Sequence, residues 1–127
     1  MTRGPVSEQA IAWAVALAAV RGTVYDFRKQ RECPCDFQIV SSSGIAFVRV
    51  KRTRCLHRTA EELGAECRDH VLRLRAVPRA PAVTRELWIC SRSGRWRFFR
   101  VTDTGLDEIP GPVPALPAGS PAAQTVA

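Results

Sequence analysis

The residues best equipped for chemistry lie in one short stretch, residues 35–52 (CDFQIVSSSGIAFVRVKR). Asp36 opens one apolar run, Arg49 and Lys51 close another, and Ser41-Ser42-Ser43-Gly44 between them reads as the turn of a β-hairpin. Side chains alternate along a strand, so Arg49 and Lys51 leave the second strand on one face, where Asp36 can reach them across the pair. On this register Arg49 is expected to pair with Asp36. Two cations beside one carboxylate make a net positive pocket, which attracts phosphate and repels a divalent cation. Gln38, two residues after Asp36, points to the same face as an ordinary surface amide.

Five cysteines supply a second set of reactive groups. Cys33-Pro34-Cys35 and Cys55-Leu56-His57 hold the right elements for a Cys₃His zinc site. Their spacing argues against it, because a single intervening residue in a strand sends the two thiols to opposite faces. They are expected to be small buried side chains.

The elements around the hairpin follow from periodicity. Ser7 is the expected N-cap of a first helix running to about Arg21, with Glu8 in its first turn where negative charge suits the helix dipole. Its body, AIAWAVALAAV, is apolar on nearly every face, so Trp13 and Leu17 are expected in the core. Thr23–Phe27 reads as a short strand. After the hairpin comes a basic loop, residues 52–58, and then a helix over residues 59–77. There Thr59 and Glu62 form a capping box, and Leu63, Cys67, Val71, Leu74 and Val77 recur at helical spacing until Pro78. Residues 85–90 and 96–101 read as two more strands, turned by Ser91-Arg92-Ser93-Gly94. The expected order is αβββαββ, an α/β fold with a mixed sheet of about five strands flanked by two helices. Residues 1–102 form the domain, and residues 103–127 are an acidic turn followed by a disordered Pro- and Ala-rich tail.

Length and charge bound the function. The chain has 127 residues, with 19 Lys and Arg against 12 Asp and Glu. All 19 cations precede position 101, against nine acids before 103, so the first 102 residues carry a formal +10. Seventeen of the cations are Arg, whose planar fork suits phosphate. This balance favours a polyanionic partner, most simply DNA held through its phosphates, with Arg52, Arg54, Arg58, Arg68 and Arg75 as the expected contacts. The longest apolar run, Ala10 to Val20, is too short to cross a bilayer, so no membrane partner is expected. The odd cysteine count and the lack of a cleavable leader point to a reducing cytoplasm. No P-loop, dinucleotide fingerprint, Gly-any-Ser-any-Gly elbow or HExxH occurs.

The arrangement resembles the core of the PD-(D/E)XK nuclease superfamily, which includes restriction endonucleases and archaeal Holliday-junction resolvases. Asp36 matches the first acid, Lys51 matches the Lys, and Pro34 lies two residues before Asp36. Arg49 stands where the family has its second acid. The resemblance covers about residues 5–102 and implies a restriction endonuclease-like fold and hydrolysis of DNA phosphodiesters with Mg²⁺. In the family, paired carboxylates hold the metal that activates water, while the Lys supports the nucleophile or the phosphate. It also implies that Glu8, the one acid of the first helix, joins Asp36 as a metal ligand, and that Glu62 or Glu66 could supply the missing carboxylate. Two functional readings follow: an Mg²⁺-dependent endonuclease, or a non-catalytic DNA-binding module that keeps the scaffold and uses Arg49 as a phosphate contact. A homodimer through the apolar first helix is a third, weaker option.

Overall fold

The computed structural model describes residues 8–30 and 32–112. The Ser7 cap and the tail beyond residue 112 lie outside the described residues. The elements are α1 (Glu8–Ala18), β1 (Thr23–Asp26), β2 (Phe37–Ser41), β3 (Gly44–Arg52), α2 (Ala60–Glu66), α3 (Arg68–Arg75), β4 (Val83–Cys90), β5 (Trp96–Val101) and β6 (Leu106–Ile109).

The strands form one six-stranded sheet in sequence order, β1 to β6. Every neighbouring pair is antiparallel except β3 and β4, which run parallel because α2 and α3 carry the chain between them. Alternation along the central strands splits the core in two. Phe37, Ile39, Ala46, Val48, Val50, Trp88 and Cys90 face α1, whose Ala10, Ile11, Ala14 and Ala18 close that layer. Leu87, Ile89, Phe99 and Val101 face the other way, against Leu63, Cys67, Val71 and Leu74 of the second helical layer. Trp88 is fully buried, with Phe37, Trp96 and Phe98 set edge-on around it at centroid distances of 5.0–6.5 Å. Such contacts add about 0.5–1.5 kcal/mol each beyond area burial. The fold is α/β with a mixed sheet, as expected, with six strands and three helices where about five strands and two helices were expected.

Four local expectations need correction. The helix predicted over residues 59–77 is two helices, broken at Cys67 (φ −102°, ψ 27°). The Cys67 N–H still donates to the Leu63 carbonyl and the Val71 N–H to that of Cys67, so the buried stripe keeps its phase across the bend. The bend lets α2 lie against β6 while α3 lies over β3, β4 and β5. The stretch expected as an acidic turn contains β6. Its acids serve as cross-strand partners: Arg97 grips Glu108 with two hydrogen bonds of 2.7 and 3.0 Å, and Asp107 sits opposite Arg100. Trp13 is half-buried rather than core, lying over the β4–β5 turn where Gly94 (φ +87°) would bring a Cβ to 3.6 Å of the indole. Leu17 is likewise half-buried, packed against the α1-side core.

Gly44 is required by the hairpin. Its φ is +135°, and a Cβ there would sit 2.0 Å from the Ala82 carbonyl oxygen. That same carbonyl accepts from the Ile45 N–H at 2.8 Å, so the tip of the hairpin is pinned to the start of β4.

Candidate phosphate-binding site

Asp36 lies in the bend just before β2. Its N–H donates to the Val48 carbonyl at 2.8 Å, and its carbonyl accepts from the Phe27 N–H at 2.9 Å. Phe37 is opposite Val48, so one step further along the antiparallel pair Asp36 faces Arg49. The side chains of Phe47, Arg49 and Lys51 leave β3 away from α1, since Ala46, Val48 and Val50 are the residues buried beneath that helix. Asp36, Arg49 and Lys51 therefore share the face that α3 partly covers.

The contacts within this group differ from the expected ones. The Asp36 Oδ2 accepts from the Val50 N–H at 2.7 Å, and among the described residues Asp36 takes part in no ion pair. Burial raises its pKa above the ordinary carboxylate value, against the Val50 hydrogen bond and the charges of Arg49 and Arg28. Arg49 is held elsewhere: its Nε donates to His70 Nδ1 at 2.8 Å and its Nη1 to the Pro34 carbonyl at 3.3 Å. The expected Arg49–Asp36 pair is thus replaced by an Arg49–His70 pair, because a side chain of α3 reaches the guanidinium that strand alternation alone assigns to the carboxylate.

His70 is the site residue that the sequence reading missed. Its pKa is pushed down to about 4, first by burial and then by the charges of Arg49 and Lys51. The ring is neutral at physiological pH, and with Nδ1 accepting from Arg49 its proton must sit on Nε2. A signal was present: position 70 lies seven residues after Leu63 and next to Val71, at the edge of the buried stripe, where a polar residue needs a partner.

The other expected residues scatter. Glu8 is exposed in the first turn of α1, and its charge is felt at Arg28, as are those of Asp26 and Asp36. Glu62 is committed to the capping box with Thr59, and Glu66 accepts from Thr53 and Arg58. Arg52 continues β3 on the opposite face from Lys51. Arg54 and Arg68 are exposed, Arg58 pairs with Glu66 at 3.2 Å, and Arg75 donates from Nε to the Thr102 carbonyl at 2.8 Å. Arg73, not singled out from sequence, adds its charge to the field at Arg49 and His70.

These donors do not fit Mg²⁺. Among the described residues no three His, Cys, Asp or Glu side chains stand close enough to hold a metal ion. Asp36, the carboxylate of this group, already accepts a backbone hydrogen bond, and Arg49 occupies the position of the second acid. Among the described residues the cysteines form no four-ligand zinc arrangement either. Cys33 and Cys35 do stand together, with Sγ atoms 3.5 Å apart, instead of pointing to opposite faces. They precede β2 in a turn, where strand alternation does not apply.

Two clefts of about 830 and 630 Å³ lie away from this group. The first is lined by Arg79, Thr84, Arg85 and Arg100 among others, and the second runs between α2, α3 and β6 past Arg68 and Arg75. Neither holds a comparable set of buried titratable groups. The half-buried Asp36–Arg49–His70 group is the stronger candidate, since it brings a carboxylate, a guanidinium and a neutral imidazole together. No helix among the described residues is long and apolar enough to cross a membrane.

No protein-family model matches the chain, and no curated protein matches its sequence. Its structure is similar to that of Archaeoglobus fulgidus Hjc, a Holliday junction resolvase from an archaeal hyperthermophile, with a TM-score of 0.52 and 17% sequence identity over 81% of this chain and 85% of that one. That likeness establishes the fold.

Proposed function

We propose that this chain is a DNA-binding protein built on a nuclease scaffold, in which the pocket of Arg49, Lys51 and His70 beside Asp36 grips a phosphate of the backbone. The observation that carries this reading is the Arg49–His70 pair at the place of the family's second acid. Arg49 is half-buried and pinned at two points, so little rotamer freedom remains for a phosphate to remove. The neutral ring offers its Nε2–H as a further donor, and Lys51 adds a charge on the same face. The surplus of Arg supplies contacts that are long-ranged and indifferent to sequence.

A second reading, Mg²⁺-dependent cleavage of branched or damaged DNA as in the superfamily, is favoured by the fold and by the shared face of Asp36 and Lys51. If a metal binds, Asp36 would be the ligand from this site, Glu8 is the second ligand that the resemblance to the superfamily implies, and the metal would supply charge stabilisation and a bound water.

One assay separates the two. Plasmid, linear duplex and four-way-junction DNA are incubated with the wild type and with Lys51→Met, with Mg²⁺ or Mn²⁺ and with chelator. The binding reading expects salt-sensitive association that chelator leaves intact and Lys51→Met weakens. Cleavage that requires metal and is lost in Lys51→Met would establish the second reading. Association insensitive to salt, or absent at low salt, would refute both.

A further inference from the structure

We propose that Cys33 and Cys35 form a reversible dithiol–disulfide site, oxidised by a low-molecular-weight disulfide, in the loop that positions Asp36 and Arg49. The claim of coupling to the pocket rests on the phosphate-binding reading; the thiol chemistry does not.

The two sulfurs lie 3.5 Å apart. Cys33 is half-buried, within reach of a small oxidant, and Cys35 is buried directly behind it. The loop is tied on both sides, by the Cys33 N–H to the Gln30 carbonyl at 3.0 Å and by the Asp36 N–H to the Val48 carbonyl at 2.8 Å, so the sulfurs are held near each other. Cys67 and Cys90 are buried in the two core layers, and Cys55 lies in the loop after β3.

Exchange proceeds in two displacements. The Cys33 thiolate attacks one sulfur of the small disulfide, forming a mixed disulfide and releasing one thiol. The Cys35 thiolate then attacks the Cys33 sulfur, the mixed bond breaks, and the second small thiol leaves. Two electrons and two protons pass from the dithiol to the small disulfide. Cys33 is half-buried and Cys35 buried, so Cys33 is the first to react and Cys35 completes the exchange.

Closure has a consequence one residue away. Pro34 lies between the two sulfurs, and its carbonyl accepts from Arg49 Nη1 at 3.3 Å. A disulfide bond is about 2.05 Å long, so the sulfurs must approach by more than an ångström, which displaces Pro34 and frees one of the two anchors of Arg49. Asp36 follows directly. The oxidised pocket is less preorganised and binds phosphate less well.

The test treats the full chain with glutathione disulfide and then with dithiothreitol, followed by alkylation and peptide mapping. The expected product has lost two hydrogens, carries a Cys33–Cys35 link, reverts with dithiothreitol, forms in Cys55→Ser and fails to form in Cys33→Ser. Duplex DNA affinity should drop about tenfold on oxidation, the equilibrium factor of one charged hydrogen bond, and should not respond in Cys33→Ser. A lasting glutathione adduct on Cys33 with Cys35 still free, or a Cys33 that does not react, overturns the site. A disulfide that forms without changing DNA affinity overturns the coupling. If neither redox form binds DNA, the phosphate-binding reading falls, while the peptide map still decides the thiol chemistry.

Discussion

Replacing His70 by Gln tests the site where its electrostatics are most specific. A glutamine amide oxygen can accept from Arg49 Nε as the imidazole does, but it does not titrate. Lowering the His70 pKa from 6.5 to about 4 corresponds to at most about 3.4 kcal/mol, at about 1.36 kcal/mol per tenfold change in proton affinity. The ring is not fully buried, and screening reduces this to roughly 2 kcal/mol. The sign follows from which state binds the proton more readily. The unfolded chain protonates His70 near pH 6.5 and the folded chain only near pH 4, so the contribution is complete above about pH 6.5 and is lost as pH falls toward 4. Asp36 acts in the opposite sense: its raised folded pKa favours the native state at low pH, and that advantage disappears as pH rises through it. The Asp36 contribution largely cancels when two proteins are compared that both retain it. Urea unfolding of wild type and His70→Gln between pH 7.5 and 4 should therefore give a stability difference that shifts by about 2 kcal/mol toward the variant on acidification. A difference that stays flat across this range would refute the burial of a neutral His70 against Arg49.

Three further outcomes test the site and its supports. Arg49→Glu places a second acid opposite Asp36, and calorimetry should then detect Mg²⁺ binding that the wild type lacks; equal binding by both proteins would mean that Arg49 does not guard the Asp36 position. Glu86 is fully buried, pairs with Arg21 at 2.8 and 2.9 Å and accepts from Trp88 Nε1 at 3.0 Å, so Glu86→Gln should cost about 2–4 kcal/mol in urea unfolding, and a loss below about 1 kcal/mol would show the pair to be expendable. Gly44→Ala forces a side chain into positive φ and against the Ala82 carbonyl, and should lower the thermal midpoint by many degrees or prevent folding, whereas Ser42→Ala at the adjacent exposed turn position should be nearly silent.

The hairpin, the first helix with its three following strands, the helical segment and two strands after them, and the shared face of Arg49 and Lys51 were legible in the sequence because they depend on local rules. Strand alternation has a period of two, Gly44 marks a turn whatever surrounds it, and Thr59 with Glu62 caps a helix through atoms three residues apart. The partners of these residues were not legible. Strand alternation brings Arg49 opposite Asp36, but only the packing of α3 over β3 brings in His70, a residue 21 positions away, and diverts the guanidinium. β6 was hidden because its acids resemble a solvated turn until Arg97 and Arg100 of β5 lie beside them. The same holds for Cys33 and Cys35, whose proximity follows from the turn before β2 and not from their spacing. Sequence by itself determined which residues could do chemistry on this face, because side-chain direction in a strand is a local property. Tertiary structure decided which of them meet, because charge pairing and thiol proximity act over ångströms between segments that the chain keeps far apart.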